Sequence, residues 1–123
     1  MGSKYQRQAA SLIRGHLTRL LQTQVNDPRV RLVTITAVEV TPDATRAYVY
    51  VTAMGSPEEQ QEALAGLQSA ASFLRREIGQ RIRLRNTPEI VFRWDTSLER
   101  GERISSLLDQ LWDDEADGPG SEP

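Results

Sequence analysis

The chain of 123 residues has no cysteine, which excludes disulfides, thiolate metal sites and cysteine nucleophiles. Histidine is nearly as scarce: His16 stands alone, so there is no paired-histidine metal motif, and a catalytic triad would hang on one residue. On a helical wheel His16 adjoins Leu12, Leu17 and Leu20, a boundary position rather than a base. No apolar run approaches the ~18 residues that cross a bilayer, and Met1-Gly2-Ser3-Lys4-Tyr5 lacks a hydrophobic signal core. A cytoplasmic protein with no membrane partner is expected. Gly79, Gly101, Gly118 and Gly120 do not fall at the spacing of a phosphate-cradling loop. Glu58, Glu59 and Glu62 complement a helix dipole, and the acids from Asp113 to Asp117 belong to a terminal tail. These absences point away from an enzyme, and no metal, cofactor or small-molecule substrate is expected.

What is present is a local excess of positive charge. The formal net charge is −2, yet six acidic residues (Asp109, Asp113, Asp114, Glu115, Asp117 and Glu122) follow one another at the C-terminal end with no basic residue among them. Fifteen basic and eleven acidic residues remain, a balance of +4 that fits docking on a structured RNA surface. Arg75, Arg76, Arg81, Arg83 and Arg85 lie within eleven residues of one another. A guanidinium is always charged and presents a planar fork suited to phosphate, so nucleic acid is the first partner to consider.

The length suits one domain, read as residues 1–112, with residues 113–123 as a disordered acidic tail. Ala9, Leu12, Ile13, Leu17, Leu20 and Leu21 form one helical stripe over residues 4–24, which Asp27-Pro28 ends. Leu32 to Val40 and Arg46 to Thr52 read as two strands joined by the turn Thr41-Pro42-Asp43-Ala44-Thr45, and a slip of apolar phase marks a bulge near Ala37. Ser56-Pro57-Glu58-Glu59 starts a second helix whose stripe runs to about Leu84. Straight, that helix would measure about 42 Å, longer than the domain is wide, so a kink is expected at Ser69, Ala70, Ala71 and Ser72. Phe73, off the stripe of a straight helix, supports the bend. Asn86-Thr87-Pro88 breaks the chain, Ile90, Phe92 and Trp94 alternate as a third strand, and Thr96 to Trp112 reads as a last amphipathic helix. The order is α-β-β-α-(kink)-α-β-α, an α+β domain with a three-stranded sheet and helices packed on one face, the order of a type II K-homology domain. The GxxG clamp of such domains is missing.

On the wheel of the second helix, Arg76 and Arg83 superpose opposite Leu74, Ile78 and Ile82, with Arg75 and Arg81 flanking the stripe. That face suits a phosphate ridge. A blander reading has Arg75 and Arg81 lying over the core edge and Arg81 paired with Glu77. Arg7 and Arg14 share a face of the first helix, and Arg29 and Arg31 follow it, extending the candidate RNA surface. The alternative function is a protein-interaction module anchored by Phe73 or Trp112.

Asp27-Pro28-Arg29-Val30, Val33-Thr34-Ile35-Thr36, Val38-Glu39-Val40-Thr41-Pro42-Asp43 and Ala47-Tyr48-Val49-Tyr50-Val51 closely resemble the helix-to-hairpin segment of the bacterial ribosome-binding factor A family. The resemblance continues through Ser69-Ala70-Ala71-Ser72-Phe73-Leu74-Arg75, Arg83-Leu84-Arg85, Thr87-Pro88-Glu89-Ile90 and Ser97-Leu98-Glu99-Arg100-Gly101. It implies a type II K-homology fold with a kinked helix–helix junction in place of GxxG. It also implies a non-catalytic, cytoplasmic assembly factor that binds the immature 30S small ribosomal subunit and its 16S rRNA and assists late maturation, including 16S rRNA 5′-end processing. A monomer is expected. The family's Ala-x-Gly at the kink matches Ala70 and Ala71, but Ser72 replaces the glycine, so a shallower bend is expected here.

Overall fold

The structure, a computed structural model, describes residues 3–96. Helix α1 spans Lys4–Thr23 and opens on a capping box, with Ser3 and Gln6 exchanging side-chain and backbone hydrogen bonds of 3.1 and 2.8 Å. It stops four residues before the expected breaker. Pro28 instead begins a short 3-10 turn, Pro28–Val30, where its missing N–H costs nothing, and Asp27 caps that turn through the Arg29 N–H at 2.9 Å.

Strands β1 (Val33–Val40) and β2 (Arg46–Ala53) form the expected antiparallel hairpin. The bulge is present: register slips between Ile35 and Ala37, leaving Thr36 as the extra residue. Its hydroxyl is shared between the Tyr50 carbonyl at 3.2 Å and the Asp95 carboxylate, so the bulge ties β1 across the sheet to the end of β3 (Glu89–Trp94). In the hairpin turn Asp43 accepts from the Thr41 hydroxyl and from the Thr45 hydroxyl and N–H at 2.8–3.1 Å, and the next residue, Ala44, takes φ of 60°.

Helix α2 spans Pro57–Arg81, with Ser56 as cap, Pro57 at its first position and Glu59 closing a second capping box. Ser69, Ala70, Ala71 and Ser72, the expected junction, lie within the single helix α2, and none of the four takes a left-handed backbone. The helix also ends at Arg81 rather than near Leu84. Ile82 turns to extended backbone, φ −126° and ψ 132°, while still burying its side chain. Ending there lets residues 82–88 fold back so that Glu89 lies opposite Arg46 and β3 runs parallel to β2. The last amphipathic helix, Trp112 and the acidic tail at 113–123 lie outside the described residues.

The sheet order is β1-β2-β3. Ala47, Val49 and Val51 of β2 and Ile90 and Phe92 of β3 point to one face, where α1 packs mainly on β1 and α2 mainly on β3. Ile13, Leu17, Leu67, Leu74 and Ile78 are wholly buried between the layers, each contributing about 2 kcal/mol of apolar transfer. The opposite face carries Tyr48, half-buried under Arg93, whose guanidinium stacks 4.2 Å from the ring centroid. The fold is thus the expected α+β sandwich of one sheet and one helical layer, built with two helices among the described residues.

Candidate nucleic-acid interface

The C-terminal turns of α2 and the segment 82–88 are held together by one clamp and one close approach. Arg75 donates from Nε and Nη2 to the Thr87 carbonyl at 3.2 and 3.0 Å. One turn further, Gly79 lets Thr87 sit against the helix: a Cβ there would come within 2.9 Å of Thr87 Oγ1. Pro88 is fully buried behind them. The result is an open groove of about 650 Å³ lined by Thr45, Arg75, Arg76, Gly79, Asn86 and Thr87. Two guanidiniums, the Thr87 hydroxyl and the Asn86 amide line it with no carboxylate among the lining residues, a set of donors matched to an anion, while the Thr45 hydroxyl is given to Asp43.

The five clustered arginines are sorted by this geometry. Arg75 and Arg76 line the groove, and Arg76 has no hydrogen bond or ion pair to another described residue. Arg83 and Arg85 are exposed but not helical, so the superposition of Arg76 with Arg83 does not exist; it required a helix that has already ended. Arg85 is instead placed by α1: its guanidinium lies 4.1 Å from the centroid of the Tyr5 ring, and its N–H donates to the Tyr5 hydroxyl at 3.2 Å. Arg81 forms an ion pair with Glu77 one turn back, as the blander reading had it.

The outlying arginines do not join this groove. Arg29 is engaged by Asp27, Nη2 to Oδ2 at 2.7 Å. The Arg29 side chain, and then its N–H, hold the Asp27 carboxyl below the ordinary carboxylate range, and Asp27 raises Arg29 in turn. Arg14 donates to the Ile35 carbonyl at 3.2 Å and shares a groove between α1 and β1 with Arg31. Arg7 lines a third groove beside Glu39 and Tyr48. Phe73 is half-buried against the core, so only part of its ring is open to a protein partner. Sequence reading missed Tyr5, Thr45, Asn86 and Thr87. Asn86 and Thr87 were visible only as a chain break, and nothing in the sequence pairs Tyr5 with a residue eighty positions away.

The sequence model of the family described as Ribosome-binding factor A matches residues 5–108, most of the chain. The chain belongs to the ribosome-binding factor A family. Among relatives of that name, one from Nitrosococcus oceani is 45% identical over 112 residues, covering 91% of this chain and 88% of the relative. One from Aromatoleum aromaticum is 46% identical over 102 residues, covering 83% and 80%. A solution structure from Thermotoga maritima, described as a putative ribosome binding factor A, is 36% identical with a TM-score of 0.66, covering 76% of this chain and 89% of that one. A Thermus thermophilus ribosome-binding factor A, a homology model fitted into a cryo-electron microscopy map of its 30S complex, is 30% identical with a TM-score of 0.52, covering 69% and 93%. The fold is the K-homology-like fold of ribosome-binding factor A.

Proposed function

We propose that this protein is a non-catalytic, cytoplasmic assembly factor that binds the immature 30S small ribosomal subunit as a monomer, contacts its 16S rRNA and assists late maturation, including processing of the RNA's 5′ end. The groove formed by Arg75, Arg76 and the donors of residues 86–87 is the observation that carries the RNA contact, with Arg83 and Arg85 on the adjoining segment. Family membership supports the ribosomal partner, and the Thermus thermophilus protein in its 30S complex supports the choice of subunit. In this reading the factor works by binding one conformation of the RNA better than another and so shifting its population. Each phosphate neutralised by an arginine releases counterions, so affinity must fall steeply with salt.

The test is co-sedimentation with purified small and large subunits across a salt series, beside Arg76→Glu/Arg83→Glu. Selective binding to the small subunit that weakens with salt and with the double substitution is expected. Binding to neither subunit by a folded protein would overturn the proposal and favour the protein-interaction module.

A further inference from the structure

We infer that the outer face of α1 docks on the backbone of a double-helical RNA segment, a contact separate from the groove at the end of α2. The inference shares with the proposed function the premise of an RNA partner, but it rests on different residues. Helix α1 carries Lys4, Arg7, Arg14 and Arg19 and, in twenty residues, no aspartate or glutamate. Even its first turn is capped by neutral groups, Ser3 and Gln6, where a carboxylate would ordinarily be favoured. At 100° per residue all four cations fall on the side away from Ala9, Ile13, Leu17 and Leu20, and all four are exposed. They extend over about 22 Å of helix axis.

The centre of this face is where the charge is least compensated. Glu39 lies beside Arg7 in the groove near the start of the helix. Around Arg14 and Arg19 the linings contain no acidic residue, and Arg31 adds a further cation across the groove between α1 and β1. The Ile35 carbonyl fixes Arg14 in place, so its guanidinium is already oriented. Between Arg14 and Arg19 along the helix lies Gly15, where an added Cβ would meet nothing within 4 Å. A solvent-facing glycine inside a helix weakens it relative to alanine, and no contact within the described residues requires one here. It leaves room for an approaching backbone between two arginines.

The chemistry favours a duplex. The exposed aromatics that a single strand needs for base stacking are absent from this face, and Tyr5 is already engaged by Arg85. Hydroxyls of Ser11 and Thr18 and the Gln22 amide lie between the arginines. A basic helical face of this kind matches the phosphates and 2′-hydroxyls across the shallow minor groove of A-form RNA.

The test is fluorescence anisotropy of the full chain with a labelled RNA hairpin whose stem has about 16 base pairs, the span of a shape-reading duplex contact. Gly15→Leu should weaken binding about tenfold, and Arg14→Ala/Arg19→Ala should lower the salt slope by about two, one for each phosphate no longer neutralised. Gly15→Ala, which adds one methyl and favours the helix, should melt at a higher temperature than the parent and bind within about twofold of it. Arg76→Glu/Arg83→Glu should keep duplex affinity while losing the small subunit, which separates this contact from the α2 groove. Wild-type affinity in a folded Gly15→Leu variant would overturn the inference, as would equal binding to B-form DNA of the same sequence, no binding of the parent chain to the stem, or loss of the stem in Arg76→Glu/Arg83→Glu alone.

Discussion

Replacing Gly79 by alanine sets helix propensity against a steric contact, and the structure says which prevails. Within a helix the exchange is worth about 0.5–1 kcal/mol in favour of alanine. The new Cβ, however, would lie 2.9 Å from Thr87 Oγ1 and 3.4 Å from Thr87 Cγ2. Thr87 cannot retreat freely, because Arg75 holds its carbonyl with two hydrogen bonds and Pro88 behind it is buried. Forcing such a contact in a packed site costs about 1–3 kcal/mol, so Gly79→Ala should destabilise the protein by about 1 kcal/mol net. In a Thr87→Ala background the nearest remaining atom of residue 87 is its Cβ, 3.6 Å away, an ordinary contact. There the same substitution should stabilise by about 0.5–1 kcal/mol, giving a coupling of about 1.5–2 kcal/mol in a double-mutant cycle. Urea denaturation of the four proteins measures it, and each kcal/mol should appear as a shift in Tm of about 4–8 °C. A coupling below about 0.5 kcal/mol, the scatter of independent sites, would refute the seating of residues 82–88 on α2.

Three further outcomes are expected. Tyr5→Phe removes the hydroxyl that accepts the Arg85 N–H but keeps the ring beneath the guanidinium; a loss of about 1 kcal/mol in urea denaturation is expected, and an unchanged midpoint would show that the hydrogen bond contributes nothing. Ser72→Gly, placed in the middle of α2, should cost about 0.5 kcal/mol and lower helical circular dichroism, whereas a gain in stability would mean that the helix is strained at this point. Asp27 and Glu59 are both held below their ordinary values of 3.8 and 4.5, Asp27 by the Arg29 side chain and N–H, Glu59 by the Ser56 N–H and hydroxyl. Both shifts are downward, so the stabilisation is complete above those ordinary values and is lost as pH falls through the lower folded ones. Tm should therefore hold from neutral pH to about 5 and drop in stronger acid, less steeply in Asp27→Asn/Glu59→Gln; an unaltered acid limb in that variant would refute the assignment.

Much of the fold was legible because its signals are local. The Ser56-Pro57-Glu58-Glu59 start, the hairpin turn around Asp43 and the bulge near Ala37 each follow from side chains within a few positions of one another, and each is found where the sequence placed it. Where a helix ends was harder to read. Ile82 continues the apolar stripe and is buried, but it is buried from extended backbone, which hydrophobic periodicity cannot distinguish from one more turn. The length argument for a kink counted three residues that α2 does not contain, and Phe73, off the apolar stripe, packs against the core from within the helix. The arginines were recognised by charge alone. Their division into groove lining, clamp, ion pair and ring contact depends on Thr87, Glu77 and Tyr5, and the first and last of these partners are distant in the chain.

The position of β2 between its two neighbours bears on how the chain is made. Its antiparallel partner precedes it by a five-residue turn, whereas its parallel partner follows only after the whole of α2 and the segment beyond it. During synthesis, then, β1 and β2 can pair early while the second edge of β2 stays open. Closure waits on residues 89–94 leaving the ribosome, so a nascent or truncated chain that ends before Trp94 presents a bare strand edge, and the interval before β3 arrives is the window in which this protein is most prone to pair with another copy of itself.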